Sequence, residues 1–204
     1  MKAKLEYVKS LRWADYLFFA LLEPRRLTGR IADPVSKPLA GGIAIALAVA
    51  FFDVLAASLL VVNTPFFYYK LTYGFLLLFI ILAVRVLATA GLIDILCQFL
   101  GHQGAARSIV SLVFYSLFPQ LFLLPLVYIF KVFGFAPPFF YALFSIGLFA
   151  WSALIVMTGL SEVHSIPFTK AALIFLFPYA FAAVTGFLAS VLAVLYVFGY
   201  FAAM

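Results

Sequence analysis

Charge is scarce in this sequence. Only 10% of the 204 residues are Asp, Glu, Lys or Arg, where soluble domains carry about a quarter. With 68% apolar residues and a mean hydropathy of +1.23, the chain has too little polar surface to cover a water-soluble domain, so its solvent is lipid. Cysteine is nearly absent as well. A single thiol, Cys97, excludes an intramolecular disulfide and any site built from several cysteines. Strict apolar–polar alternation is missing, which removes the membrane β-barrel. Recognisable reaction motifs are missing too: there is no G-x-S-x-G elbow, no H-E-x-x-H, no phosphate loop and no paired carboxylates. The expectation is a protein with no catalytic residues, no cofactor and no enzymatic activity. The net charge of +6 fits membrane topology and anionic lipid, and gives no argument for nucleic acid.

What the sequence has is long apolar runs. In a bilayer the backbone must satisfy its own hydrogen bonds, so such runs form helices. Five are long enough to cross a core of roughly 30 Å: about Leu39–Val62, Leu71–Leu96, Ser108–Phe130, Phe139–Leu160 and Ala171–Gly199. The connections are short, so residues 39–204 read as one all-α, five-helix transmembrane bundle. Residues 1–38 read as a separate cytoplasmic lead-in. Within it, Tyr7, Leu11, Ala14, Phe18 and Leu21 recur at helical spacing, which predicts an amphipathic helix lying in the membrane interface and ended by Glu23-Pro24. A cleaved signal peptide is disfavoured by the short apolar stretch, the embedded Asp15 and the lack of a small-x-small site. Arg25, Arg26, Arg30 and Lys37 follow, on an extended segment set by Pro34 and Pro38, and are expected to contact anionic headgroups.

Basic residues set the expected orientation. Ten of the thirteen Lys and Arg fall on the side shared by the N-terminus and the second and fourth inter-span loops; Lys70 and Lys131 lie on the other, and Arg85 is within a span. The positive-inside rule then puts the N-terminus in the cytoplasm and the C-terminus outside.

Three ionisable residues interrupt the spans: Asp53, Arg85 and Asp94. Asp53 and Arg85 sit at similar depths on consecutive antiparallel helices. Gly42, Ala46, Ala50, Asp53 and Ala57 form one small-residue stripe that permits close approach. An unpaired arginine at that depth costs about 3 kcal/mol on insertion scales. A direct Asp53–Arg85 ion pair is expected. It reads either as a clip fixing the register of two helices or as part of an ion or proton path, and the clip is favoured because only one matched pair is visible. Asp94 is nine positions from Arg85 and out of phase with it.

Pro119 and Pro178 occupy the cytoplasmic halves of the third and fifth spans. Each should free a backbone carbonyl and break or kink its helix. Ala182, Gly186 and Ser190, four residues apart, make a helix-packing or dimer face. Cys97, His102, Glu162 and His164 lie in or beside the two cytoplasmic loops. They could meet around a metal, but no pair has helical i, i+4 metal spacing, and solvated loop residues are the expected outcome.

Three stretches carry a family likeness: "LLEPRRLTGRIADPVSKPL" (21–39), "LGHQGAARSIVSLVFYSLFP" (100–119) and "AWSALIVMTGLSEVHSIPFTKA" (150–171). With the five-span layout, they make the chain resemble the Yip family, the Ypt/Rab-interacting membrane proteins. The resemblance implies a cytosolic N-terminus and a non-cytosolic C-terminus. In eukaryotic members it also implies a role in early secretory traffic, with Rab-type small GTPases and other family members as partners. Eukaryotic relatives usually carry a longer polar N-terminal region with an acidic-aromatic motif. The 38 residues here point instead to a prokaryotic member and away from a GTPase. The expected function is a non-enzymatic scaffold or adaptor in membrane organisation or trafficking. It would act through contacts with lipids, a second copy or another membrane protein. The alternative is a small transporter or channel using Asp53, Arg85 and the proline breaks.

Overall fold

The computed structural model describes residues 12–31, 38–60, 73–134 and 137–202. Among these residues there is no strand, and five segments are long and apolar enough to cross a membrane: Pro38–Leu60, Phe75–Phe99, Ala106–Val132, Pro138–His164 and Phe168–Tyr196. The described chain begins with two short helices, α1 (Arg12–Leu22) and α2 (Pro24–Ile31). The spans are α3 (Pro38–Leu60), α4 (Phe75–Phe99), a divided third span of α5 (Ala106–Tyr115) and α6 (Leu123–Val132), then α7 (Pro137–His164) and α8 (Phe168–Ala202).

The third span is the axis of the bundle. Over its most apolar stretch 56% of residues are buried, against 17–28% in the other four spans. It can sit there because its neighbours present small residues. A Cβ added to Gly42 on α3 would lie 2.6 Å from the Cβ of Phe114, and one on Gly159 of α7 would lie 2.5 Å from Leu112 Cδ1. Only glycine lets these helices approach the third span so closely. Pro119, itself fully buried, ends α5. A 3₁₀ turn at Phe118–Phe122 follows, and α6 resumes from Leu123. Ser116 Oγ donates to the carbonyl of Val113 at 2.7 Å, and Gln120 N to that of Leu117 at 2.9 Å, so polar groups around the break find partners in its own turn. This is the break expected at Pro119. Pro178 behaves differently and lies inside an unbroken α8.

The N-terminal segment also departs from expectation. Pro24 ends α1 and at once begins α2, because proline lacks only an N–H that the first helical turn leaves unbonded. Arg25, Arg26 and Arg30 are therefore on a helix and not on an extended lead. Helix α1 is held against the bundle: it packs on α2, α5 and the 3₁₀ turn, and α2 packs on α7 and α5. Ala20 and Leu27 are fully buried in the same core as Ile109, Leu112 and Leu160. Tyr16 stacks on Tyr115 with ring centroids 5.2 Å apart, and its hydroxyl donates to the carbonyl of Arg30 at 3.2 Å. Of the apolar stripe expected on α1, Phe18 points outward, and Ala20 takes the buried place. Tyr7, Leu11, Pro34 and Lys37 lie outside the described residues.

At the other end, a small cluster of Leu123, Val127 and Leu148 joins α6 to α7. Lys131 Nζ donates to the carbonyl of Leu59 at 2.6 Å, satisfying an acceptor that the C-terminus of α3 leaves free. Helix α8 packs on α7 and α4, but every residue from 180 to 196 is exposed.

Candidate functional site

Asp53 of α3 faces the fourth span. The phenol of Tyr141 on α7 donates to Asp53 Oδ1 at 3.0 Å. Around this contact is a cavity of about 220 Å³, with Arg85, Gln120 and Ser145 adding polar groups to an otherwise apolar wall. A narrower space next to it is lined by Arg85, Thr89, Ser116, Gln120 and Ser152. The hydroxyl of Ser152 is buried and has no hydrogen-bond partner among the described residues. Together these side chains form a polar seam through the bundle, contributed by the first four spans.

The expected direct ion pair does not form. Asp53 and Arg85 line the same cavity, yet the ion pairs among the described residues are Arg25–Glu162, Arg26–Glu23 and Arg30–Asp15. Two features account for this. The third span occupies the small-residue face of α3 at Gly42, and Arg85 stands on an exposed flank of α4. A neutral phenol then supplies the hydrogen bond that the carboxylate needs. Sequence reasoning missed Tyr141 because it weighed charges alone. Tyr141 and Ser145 lie four residues apart on one face of an apolar span, and that spacing was the available signal.

Asp94 has a separate role near the end of α4. It is 7% exposed and accepts from Gln98 Nε2 and from the backbone N–H of Ala105, both at 2.7 Å. Ala105 is the N-cap residue of α5, so this carboxylate ties the second-to-third loop to α4 and fixes where the third span starts. Gly104 lies against the same contact, its notional Cβ 2.9 Å from Gln98 Nε2.

The four residues weighed as metal ligands separate into different environments. His102 and His164 face each other with ring centroids 5.7 Å apart. Glu162 pairs with Arg25 at 3.5 Å, and Cys97 is buried in the core. No group of three or more His, Cys, Asp or Glu among the described residues is placed to hold a metal. Helical geometry accounts for the separation: Cys97 sits on the inward face of α4, while Glu162 sits on an exposed face of α7.

The arginines of α2 are well exposed. Arg25 and Arg26 side chains are 78% and 72% accessible despite their carboxylate partners, and exposed pairs of this kind contribute little to stability. Arg30 also lies over the ring of Phe19, 6.0 Å from its centroid.

Fold and seam together define an all-α, multi-pass integral membrane protein with a polar seam inside an apolar five-span bundle. The chain belongs to the Yip1 family: the Yip1 domain matches residues 19–191, from within α1 to within α8. That family is one of membrane proteins linked to trafficking. No curated protein and no solved structure matches the chain.

Proposed function

We propose that this protein is a non-enzymatic membrane adaptor, working through helix–helix and lipid contacts on its outer faces. The observation that carries the reading is the outer half of α8. Residues 180–196 are exposed throughout, and their hydroxyls are turned inward: Thr185 Oγ1 donates to the carbonyl of Phe181 at 2.8 Å, and Ser190 Oγ to that of Gly186 at 2.8 Å. The helix thus offers the bilayer an apolar surface with a small-residue stripe at Ala182, Gly186 and Ser190, suited to a second copy or another membrane protein.

In this reading the polar seam is architectural. Asp53 and Tyr141 clip the first span to the fourth, and Arg85 shares their cavity as a further anchor. The N-terminus is cytoplasmic, following the basic residues. Arg25, Arg26 and Arg30 then stand near the anionic headgroups of that leaflet. A small GTPase, the partner the family resemblance brings, would have α1, α2 and the two short cytoplasmic loops to meet.

Photo-crosslinking in native membranes tests the adaptor reading. A crosslinker at Ala182, Gly186 or Ser190 is expected to give discrete protein adducts, including one of twice the chain mass if the partner is a second copy. At Leu188, on the opposite face, lipid adducts alone are expected. Lipid adducts alone at all four positions contradict the reading.

A further inference from the structure

A second cavity, of about 460 Å³, lies between α4 and α8 at the end of the bundle that holds the His102 and His164 loops. Its walls are apolar, with Leu96 and Phe99 on one side and Leu173 and Phe177 on the other. Only its rim is polar. Lys170 stands there on the first turn of α8, beside His102 just beyond α4. From Lys170 to Phe177 is about 10 Å along the helix, so the cleft runs from a basic rim into the apolar stretch of a membrane-spanning helix.

We propose that this cleft binds a phospholipid with an anionic headgroup, its acyl chain between α4 and α8 and its phosphate at Lys170 and His102. Three observations carry the assignment. The cleft lies between two membrane-spanning helices, where the surrounding medium is acyl chain. Its polar rim presents a primary ammonium and an imidazole, both able to donate to a phosphate. Among the described residues the ammonium forms no ion pair: the acids that pair there are Glu162 with Arg25, Glu23 with Arg26 and Asp15 with Arg30. A zwitterionic lipid would bring its own cation against Lys170, which disfavours it at this rim. Lysine suits the position because its stem lies along apolar surface while its charge reaches the headgroups. The site is distinct from the α2 arginines and deepens the adaptor reading, on which it rests only in taking lipid contact as part of the function.

Native mass spectrometry of the full chain in mild detergent tests the proposal, with phosphatidylglycerol and phosphatidylcholine offered at equal concentration. The wild type is expected to retain phosphatidylglycerol about fivefold better. Lys170→Ala should abolish that preference, and Lys170→Arg should keep it. Leu173→Trp, which fills the cleft from an exposed position, should lower retention of both lipids. Arg25→Ala with Arg26→Ala should leave the preference intact, and added inorganic phosphate should not compete. Equal retention of the two lipids by the wild type overturns the proposal. So does a preference that survives Lys170→Ala, disappears with the α2 arginines or yields to inorganic phosphate, and so does lipid retention that is unchanged in Leu173→Trp. Failure here leaves the crosslinking pattern on the outer half of α8 untouched, so the two readings fail separately.

Discussion

At the scale of single residues, the decisive contact is a phenol meeting a carboxylate. Removing the Tyr141 hydroxyl leaves Asp53 without its donor, whereas Arg85 has no carboxylate within ion-pair distance among the described residues. Hydrogen bonds between membrane helices contribute about 0.6 kcal/mol on average and about 1.7 at most. Tyr141→Phe should fall toward the upper figure, because it leaves an acceptor unsatisfied. A double-mutant cycle by reversible unfolding in mild detergent should show clear coupling between Tyr141→Phe and Asp53→Ala. It should show less between Arg85→Ala and Asp53→Ala. The reverse order would restore the direct ion pair.

This residue-level pairing was only half legible in the sequence. The depths of Asp53 and Arg85 follow from counting along two helices, and the structure does put both on one cavity. Which side chain completes the carboxylate depends on helix rotation, set by where Gly42 lets the third span approach. No count along the chain contains that rotation. Asp94 shows the same limit: its position near a helix end was readable, but its bond to the N–H of Ala105 depends on how the loop folds back.

At the scale of elements, the spans were readable because lipid imposes a minimum length and an apolar composition. All five fall where the apolar runs predict, with boundaries shifted by a few residues. The prolines were readable as breakers only in part. Pro119 is buried at the bundle axis, and a second proline, Pro125, follows in the same span; there the helix gives way to a 3₁₀ turn. Pro178 lies in a helix with one side open and no second proline near, and the helix continues. Whether proline breaks a helix therefore depended here on packing as well as on residue type. The N-terminal hairpin was the least legible element, since its amphipathic pattern fits a membrane surface and a protein groove equally well. Its burial carries a prediction. Leu27 is fully enclosed and Leu22 is 64% exposed. Leu27→Ala should cost about 2–5 kcal/mol in the same unfolding assay, while Leu22→Ala should be nearly silent. Equal effects would mean that α1 and α2 do not pack on the bundle as described.

At the scale of the whole molecule, the bundle is closed around its third span and open along its fifth. The polar groups of the interior occupy a cavity of about 220 Å³ and a narrower neighbour. The outer half of α8 has no protein cover among the described residues. An adaptor uses such outer faces, whereas a transporter uses the interior. The proposed adaptor works through its outer faces, with Asp53, Tyr141 and Arg85 serving to hold the spans together. Purified protein in liposomes, loaded with a pH-sensitive dye and given a potassium diffusion potential, measures that division most directly. The account predicts proton flux no greater than in empty liposomes, for the wild type and for Asp53→Asn alike. A wild-type flux that Asp53→Asn abolishes, with the variant still folded, would contradict it.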